Sequence, residues 1–214
     1  MRGRGSRRVA SLVIAGALGL CPLQARPADA ARGAELFGLC ASCHGADGGG
    51  NRFFRAPAIG GLPAWYVAAQ LRKFQQGIRG AHPDDAQGLR MRPMSRTLRS
   101  DDDLQSVALH VAELHPPRPQ PELTAGDGGR GAALYAVCST CHGPDGRGNK
   151  AFKAPPLRNG SDWYLVEQIQ KFKSGIRGGN PTDLTGIMMR PMALTLATDQ
   201  AVQDVIAYVT RLEN

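Results

Sequence analysis

Hydrophobic residues recur with a helical period in the middle of the chain and again near its end. Leu104, Val107 and Val111 are three or four positions apart, and Ser100 with Asp103 forms a capping pair before them. The later stripe comprises Val202, Val205, Ile206 and Val209. No convincing stretch alternates polar and apolar residues, so the pattern predicts an all-α fold.

Two helical segments are predicted ahead of the first stripe. A short one spans Gly33 to Leu39, and a longer one begins near Pro63 and stops before Gly77. Proline is tolerated in a first helical turn because its missing N–H has no intrahelical partner there, and glycine often follows a last turn.

The first thirty residues have the layout of a secretory leader. Arginines precede an apolar stretch from Val9 to Leu20, and Ala28-Asp29-Ala30 offers small residues for cleavage. The stretch is too short to span a bilayer, although an uncleaved anchor is the alternative. We expect residues 1–30 to be a signal peptide and the mature chain to be exported to the periplasm.

Removal of this leader changes the charge and the cysteine count. It takes away five arginines and one aspartate, so the formal charge falls from +8 to +4. Nucleic-acid binding thereby loses its main support, and we expect no such partner. Cys21 leaves with the leader, and four of the five cysteines remain.

An internal repeat organises the mature chain. Cys40-Ala41-Ser42-Cys43-His44 returns as Cys138-Ser139-Thr140-Cys141-His142, an offset of 98 residues that the flanking sequence keeps. Four prolines between His115 and Pro121 predict an extended, semi-rigid spacer. We therefore expect domains at 31–114 and 125–214, joined by a linker at 115–124.

A Cys-x-x-Cys-His run is the attachment signal of c-type haem. The two thiols lie about one helical turn apart, so both can form thioether bonds to one macrocycle, and the adjacent imidazole becomes the proximal iron ligand. A zinc site would need two more ligands per copy, and a thioredoxin-like redox pair would need a βαβ context. Disulfides would leave the repeated histidine unexplained. The chain is therefore predicted to hold two covalently bound haem c groups.

Methionines are the candidates for the opposite axial position, which favours electron transfer when a thioether fills it. Met91 and Met189 each follow the motif histidine by 47 residues, but Met94 and Met192 are equally equivalent, so the repeat leaves both pairs open. Met188 corresponds to Arg90 in the first copy, so it is not a candidate for a ligand shared by both copies. The remaining histidines, which we expect on the solvated surface, are His82, His110 and His115.

The mature chain resembles the cytochrome c4 family of periplasmic dihaem carriers, which have two tandem class I cytochrome c-like domains. The resemblance rests on both haem motifs and on repeated Trp-Tyr, Gly-Ile-Arg-Gly and Met-Arg-Pro-Met-type runs. It implies that the axial methionines are those seven residues before Leu98 and Leu196, which are Met91 and Met189. It also implies two domains face to face, and proline carbonyls, at Pro57 and Pro155, that orient the proximal histidines.

The ligand set expected from motif and resemblance is Cys40, Cys43, His44 and Met91 in the first domain and Cys138, Cys141, His142 and Met189 in the second. With both irons fully ligated, we expect a monomeric electron carrier and no enzymatic activity. The expected partners are redox proteins: a membrane oxidase or quinol-oxidising complex, or a periplasmic dehydrogenase, with peripheral membrane association possible. The alternatives are a tightly bound dehydrogenase subunit and a dihaem peroxidase-type enzyme.

Charge near the first methionine run suggests how a partner docks. Arg90, Arg92, Arg96 and Arg99 crowd that run, whereas the second run has only Arg190 nearby. A basic rim of this kind would steer an acidic partner, and a merely solvated surface is the alternative.

Overall fold

The computed structural model describes residues 27–212, and this part of the chain is helical without strands. Its only pairings of the β type are two isolated bridges, Asn51 with Ala56 and Asn149 with Ala154. The all-α prediction is confirmed. The helices are α1 Ala30–His44, α2 Ala64–Gln75, α3 Ala86–Ser95, α4 Asp101–Glu113, α5 Gly128–His142, α6 Asp162–Lys173, α7 Leu184–Leu194 and α8 Asp199–Val209.

The eight helices form two copies of one four-helix arrangement. Helix α1 packs against α4, which also contacts α2, and α3 lies on α2. The same order returns in the second copy, where α5 packs against α8 and α6 contacts both α7 and α8. The structure thus confirms two tandem domains related by duplication.

The apolar stripes seen in the sequence form the centre of each core. Leu104, Val107 and Val111 on α4 are almost completely buried, and so are Val202 and Val209 on α8. Helix α4 begins as predicted, with the Ser100 hydroxyl accepting a hydrogen bond from the Asp103 amide at 3.0 Å. Burial of such side chains supplies the main driving force for folding.

The first helix is longer than the segment predicted from Gly33 to Leu39. It runs from Ala30 to His44, so the cysteine motif occupies its last turn instead of following it. The Asp29 carboxylate caps the helix by accepting from the Arg32 amide at 2.7 Å, and the Asp29 amide donates to Ser106. Asp29, which the sequence predicts to lie in the leader, thus makes contacts with the first domain. Residues 1–26 of the predicted leader lie outside the described part.

Two helices were missed, and they carry the methionine runs. Helices α3 and α7 contain Pro93 and Pro191, residues that normally argue against a helix interior. Each is short and begins at an aspartate cap, whose carboxylate accepts from a glycine amide three residues later, at 3.1 Å for Asp85. The local cap and the packing on α2 or α6 outweigh the weak helical signal of these runs.

One histidine is less exposed than predicted. His110 lies half-buried against the ring of Phe37, with the ring centroids 5.1 Å apart. The equivalent pair in the second domain is Tyr135 and Tyr208. His82 and His115 are exposed, as expected.

The segment between the domains has no helix from Leu114 to Asp127 and is held against both of them. Pro116 lies beside Gly60 of the first domain, where an added Cβ would approach its ring to 2.6 Å. The Arg118 guanidinium donates to the carbonyls of Arg158 and Thr210 in the second domain.

No helix among residues 27–212 is long and apolar enough to cross a membrane.

A close helix crossing makes Gly33 the most size-sensitive position of α1. A Cβ there would lie 2.0 Å from the Ser106 carbonyl oxygen of α4, so we expect Gly33→Ala to lower the free energy of unfolding of the haem-loaded protein by roughly 2 kcal/mol or more. Chemical denaturation followed by circular dichroism measures this change.

Gly38 on the same helix provides the control, because an added Cβ there meets nothing within 4 Å. Gly38→Ala should raise the stability by about 0.5–1 kcal/mol through helix propensity. Equal effects of the two substitutions would contradict the crossing as the cause.

Candidate functional site

The two cysteines and the histidine of each motif lie at the ends of α1 and α5. Cys40 and Cys43 are three residues apart and therefore neighbours on one helical face, as are Cys138 and Cys141. No disulfide joins any of these four cysteines, so all of them are available to form thioether bonds. Burial raises the pKa of the Cys40 and Cys138 thiols above the ordinary value.

The two motif histidines are buried and fixed by the same contact. The Nδ1 atom of His44 lies 2.9 Å from the Pro57 carbonyl oxygen, and that of His142 lies 2.8 Å from the Pro155 oxygen. A carbonyl can only accept, so each Nδ1 carries the proton and each Nε2 keeps a free lone pair. The hydrogen bond that the family resemblance implied is therefore confirmed.

The environment also favours the neutral imidazole that binds a metal. His44 and His142 are only 6% and 5% exposed, and this burial lowers their pKa although the proline carbonyls partly oppose it. A neutral ring whose second nitrogen is anchored to the protein is the usual state of a metal-ligating histidine.

Glycines bring the proline loops close enough for this contact. Gly50 has φ +88° and its amide donates to the His44 carbonyl at 2.8 Å; a Cβ on it would lie 2.6 Å from the Ala58 amide nitrogen. Gly148 repeats the arrangement at φ +79°. Only glycine fits such a backbone conformation at this close approach.

The structure places the methionine candidates on α3 and α7, away from the helices that bear the histidines. Met91 and Met94 are both half-buried on α3, so burial does not separate them. In the second domain Met189 is half-buried, whereas Met192 and Met188 are 37% and 56% exposed. The more protected methionine of α7 is therefore Met189.

Two buried arginines lie where the domains meet. The Arg79 guanidinium donates to Gln70 of its own domain at 2.7 Å and to Gln168 and Tyr164 of the other domain at 3.3 and 3.4 Å. Its repeat equivalent, Arg177, donates to Gln168 at 2.8 Å.

Among the hydrogen bonds and ion pairs of residues 27–212, neither Arg79 nor Arg177 has a carboxylate partner. The Nε atom of each guanidinium is buried without a hydrogen-bond partner. Burying a charge without a counter-ion is costly. Both positions therefore fit a bound group that carries carboxylates, as haem does in its two propionates.

Reciprocal ion pairs also join the domains. The Lys73 ammonium lies 2.5 Å from Asp183, and the equivalent Lys171 lies 2.7 Å from Asp85. Burial lowers the pKa of Lys73; burial would raise that of Asp85, but Lys171 and the Gly88 amide hold it below its ordinary value. These residues were missed, although a Lys and an Asp that both recur at the repeat offset could have indicated a two-fold contact.

Other metal chemistry gains no support from the described part of the chain. Between residues 27 and 212 no group of three or more His, Cys, Asp or Glu side chains is arranged to hold a metal ion.

Comparison with known proteins agrees with the geometry. A family model described as cytochrome c matches residues 30–115 and again residues 129–213. The chain is 32% identical over 213 residues to a thiosulfate dehydrogenase electron acceptor of Thiomonas intermedia, covering 95% of this chain and 90% of the relative. It is 29% identical to cytochrome c4 of Azotobacter vinelandii, covering 84% and 88%.

A solved structure shares the fold. Reduced recombinant cytochrome c4 from Pseudomonas stutzeri superposes with a TM-score of 0.70 at 24% identity, covering 87% of this chain and all of that one. The full coverage means that both domains, and not one alone, have counterparts in that protein.

Proposed function

This chain belongs to the cytochrome c4 family, and from that premise we propose that it is a periplasmic carrier of single electrons whose irons have the axial ligands His44 with Met91 and His142 with Met189. As a dihaem cytochrome c it binds two haem c groups covalently and takes part in electron transfer. The haem supplies the redox chemistry by cycling between ferrous and ferric iron. The protein fixes the ligands, excludes water and sets the potential.

The observation that carries this proposal is the buried histidine anchored to a proline carbonyl in each domain. The hydrogen bonds hold both imidazoles in one tautomer with Nε2 available to an iron atom. Because this hydrogen bond holds each ring in place, we expect little rearrangement at the histidines when a bound haem iron changes oxidation state. That favours outer-sphere transfer at both sites.

The choice of methionine rests on the repeat, the resemblance and burial. Met91 and Met189 are equivalent, and Met189 is the more protected methionine of α7. A thioether that serves as an iron ligand must be turned away from solvent, which disfavours Met192. Met94 and Met192, near the ends of their helices, are then not iron ligands.

We assign Arg79 and Arg177 to the haem propionates. Their unpartnered, buried Nε atoms would each gain an acceptor, and the two like charges would gain counter-ions. Both arginines lie at the domain contact, where they would hold the carboxylates of the haem groups.

A thiosulfate-oxidising dehydrogenase is the electron donor that the comparisons favour. The Thiomonas intermedia relative, which accepts electrons from a thiosulfate dehydrogenase according to its name, matches nearly the whole of this chain. A membrane oxidase is the acceptor we expect from the cytochrome c4 resemblance. This role also fits a subunit docked on the dehydrogenase, as the sequence allowed.

Export of the chain through its leader would bring it to these partners. The cap and the amide hydrogen bond of Asp29 belong to the first domain, and Asp127 repeats both in the second. We therefore propose that the leader ends before Asp29, and that the domains extend to 114 and from 125 on either side of the linker.

Replacement of one axial methionine should open one iron to carbon monoxide. The reduced wild-type protein should bind none, whereas Met91→Ala and Met189→Ala should each bind one equivalent, because the sixth position becomes free. Visible absorption spectra of reduced protein, titrated with carbon monoxide, measure the stoichiometry.

The matched controls are Met94→Ala and Met192→Ala, which should bind no carbon monoxide. Binding by Met94→Ala, with none by Met91→Ala, would transfer the ligand role to the other pair. Binding by the wild type would point to the enzymatic alternative with an open haem.

Thiosulfate should reduce this protein only through a thiosulfate dehydrogenase. Mixed with a catalytic amount of such an enzyme and excess thiosulfate, both haems should become reduced, one electron each, as followed by absorption in a stopped-flow instrument. Without enzyme the protein should stay oxidised. If dithionite reduces the protein but thiosulfate with the enzyme leaves it oxidised, a thiosulfate dehydrogenase is excluded as the donor.

The exported protein should retain Asp29. Mass spectrometry of haem-loaded protein from the periplasmic fraction should give a first residue at or before position 29, because cleavage after Ala30 would remove the cap of α1. A mature terminus at Ala31 would contradict the proposal, and an unprocessed protein in the membrane fraction would indicate an anchor.

A further inference from the structure

The contact between the domains has an approximate two-fold symmetry that breaks at one place. In the first domain, the loop between Asn51 and Ala56 reaches α6 of the second domain. There Arg55 forms an ion pair with Glu167, and the Arg52 guanidinium lies 4.7 Å from the centre of the Trp163 ring and also pairs with Glu122. Both arginines of this loop are thus occupied by protein groups.

The equivalent loop of the second domain faces α2 of the first, but its cations are not occupied in this way. Lys150 and Lys153 stand where the other loop has its arginines, and Ala69 stands where the other helix has Glu167. Neither lysine belongs to any ion pair of residues 27–212. The carboxylate that closes one side of the contact is therefore missing from the sequence on the other side.

A cavity of about 360 Å³ occupies this position between the domains. Trp65 and Ala69 of α2 form part of its wall, and Lys150, Lys153 and Thr185 border it from the second domain. A cavity of this size lies within the range of small-molecule sites. The second domain contributes Lys150 and Lys153, and the first domain contributes the apolar side chains together with Lys73.

Hydrogen-bond donors dominate the polar lining, and no carboxylate takes part in it. The Gln70 side-chain oxygen already accepts from Arg79, which leaves its amide nitrogen as the free end. The Trp65 indole nitrogen can only donate. The Lys73 ammonium also borders the cavity, but it is already paired with Asp183, so Lys150 and Lys153 supply the uncompensated charge. Such a lining suits a ligand that is negatively charged and rich in acceptor oxygens.

We propose that this cavity binds a small oxoanion of the sulfate or phosphate type, held by Lys150 and Lys153. The anion takes the place that the Glu167 carboxylate has on the reciprocal side, and it joins the loop of one domain to α2 of the other. The site is separate from the axial ligands, so it does not depend on the proposed redox partners or on the choice of methionines.

Isothermal titration of the haem-loaded protein with sodium sulfate, at ionic strength held constant with sodium chloride, tests the site. One equivalent should bind to the wild type. Lys150→Gln with Lys153→Gln should weaken binding at least tenfold, because the charge-assisted hydrogen bonds are lost. Both lysines are exposed, so the double variant should fold normally, which an unchanged visible spectrum would show.

Ala69→Glu provides a second test that removes no positive charge. The substitution introduces on α2 the carboxylate that Glu167 supplies at the equivalent position of α6. The new carboxylate should pair with Lys153 and abolish sulfate binding. Glu167→Ala is the matched control, because it removes a carboxylate from the other side of the contact. Sulfate should bind this control at least as well as the wild type.

Three results would overturn the proposal. These are no heat of sulfate binding to the wild type, binding that survives in the double lysine variant, and binding that is lost equally in Glu167→Ala. The first would leave the lysines as a surface for an acidic protein segment. The last would mean that general domain association, and not this cavity, controls the measured binding.

Discussion

Each domain depends on one hydrogen bond, from the Nδ1–H group of a buried histidine to a proline carbonyl. The bond ties the end of the first helix to the loop that follows it, and it sets the tautomer that leaves Nε2 available. The glycine at the start of that loop is needed because no side chain fits at this approach. Helix, loop and ligand are therefore fixed together, which is what a carrier with little reorganisation requires.

Duplication gives the molecule its second constraint, because each domain presents the same surface to the other. The reciprocal pairs of Lys73 with Asp183 and Lys171 with Asp85 are the expected outcome of a two-fold contact between equivalent surfaces. Burial of charge at such a contact is favourable only when every group has a partner. The Nε atoms of Arg79 and Arg177 lack such a partner among the described residues, and the proposed contacts with the haem propionates would supply one.

The departures from symmetry are where the two halves can differ in function. The first domain carries Arg90, Arg96 and Arg99 as exposed cations beside its methionine run, but Arg92 is half-buried, with its Nε atom buried and unpartnered. The corresponding helix of the second domain exposes apolar side chains, including Leu184 and Met188. Substitutions at equivalent positions have thus made one edge basic and the other apolar while the cores stayed alike.

The helical class, the duplication and the candidate ligands that are adjacent in the chain could all be predicted from local sequence patterns. Cys40, Cys43 and His44 share one helical turn, so spacing alone brings them together, and the stripe on α4 follows directly from periodicity. The tertiary structure decided what depends on distant residues. It made helices of the proline-containing methionine runs, packed His110 on Phe37 and joined the Asp29 amide to the Ser106 hydroxyl. Contacts between residues about a hundred positions apart, such as Arg79 with Gln168, arise only when two domains meet, and no local pattern encodes them.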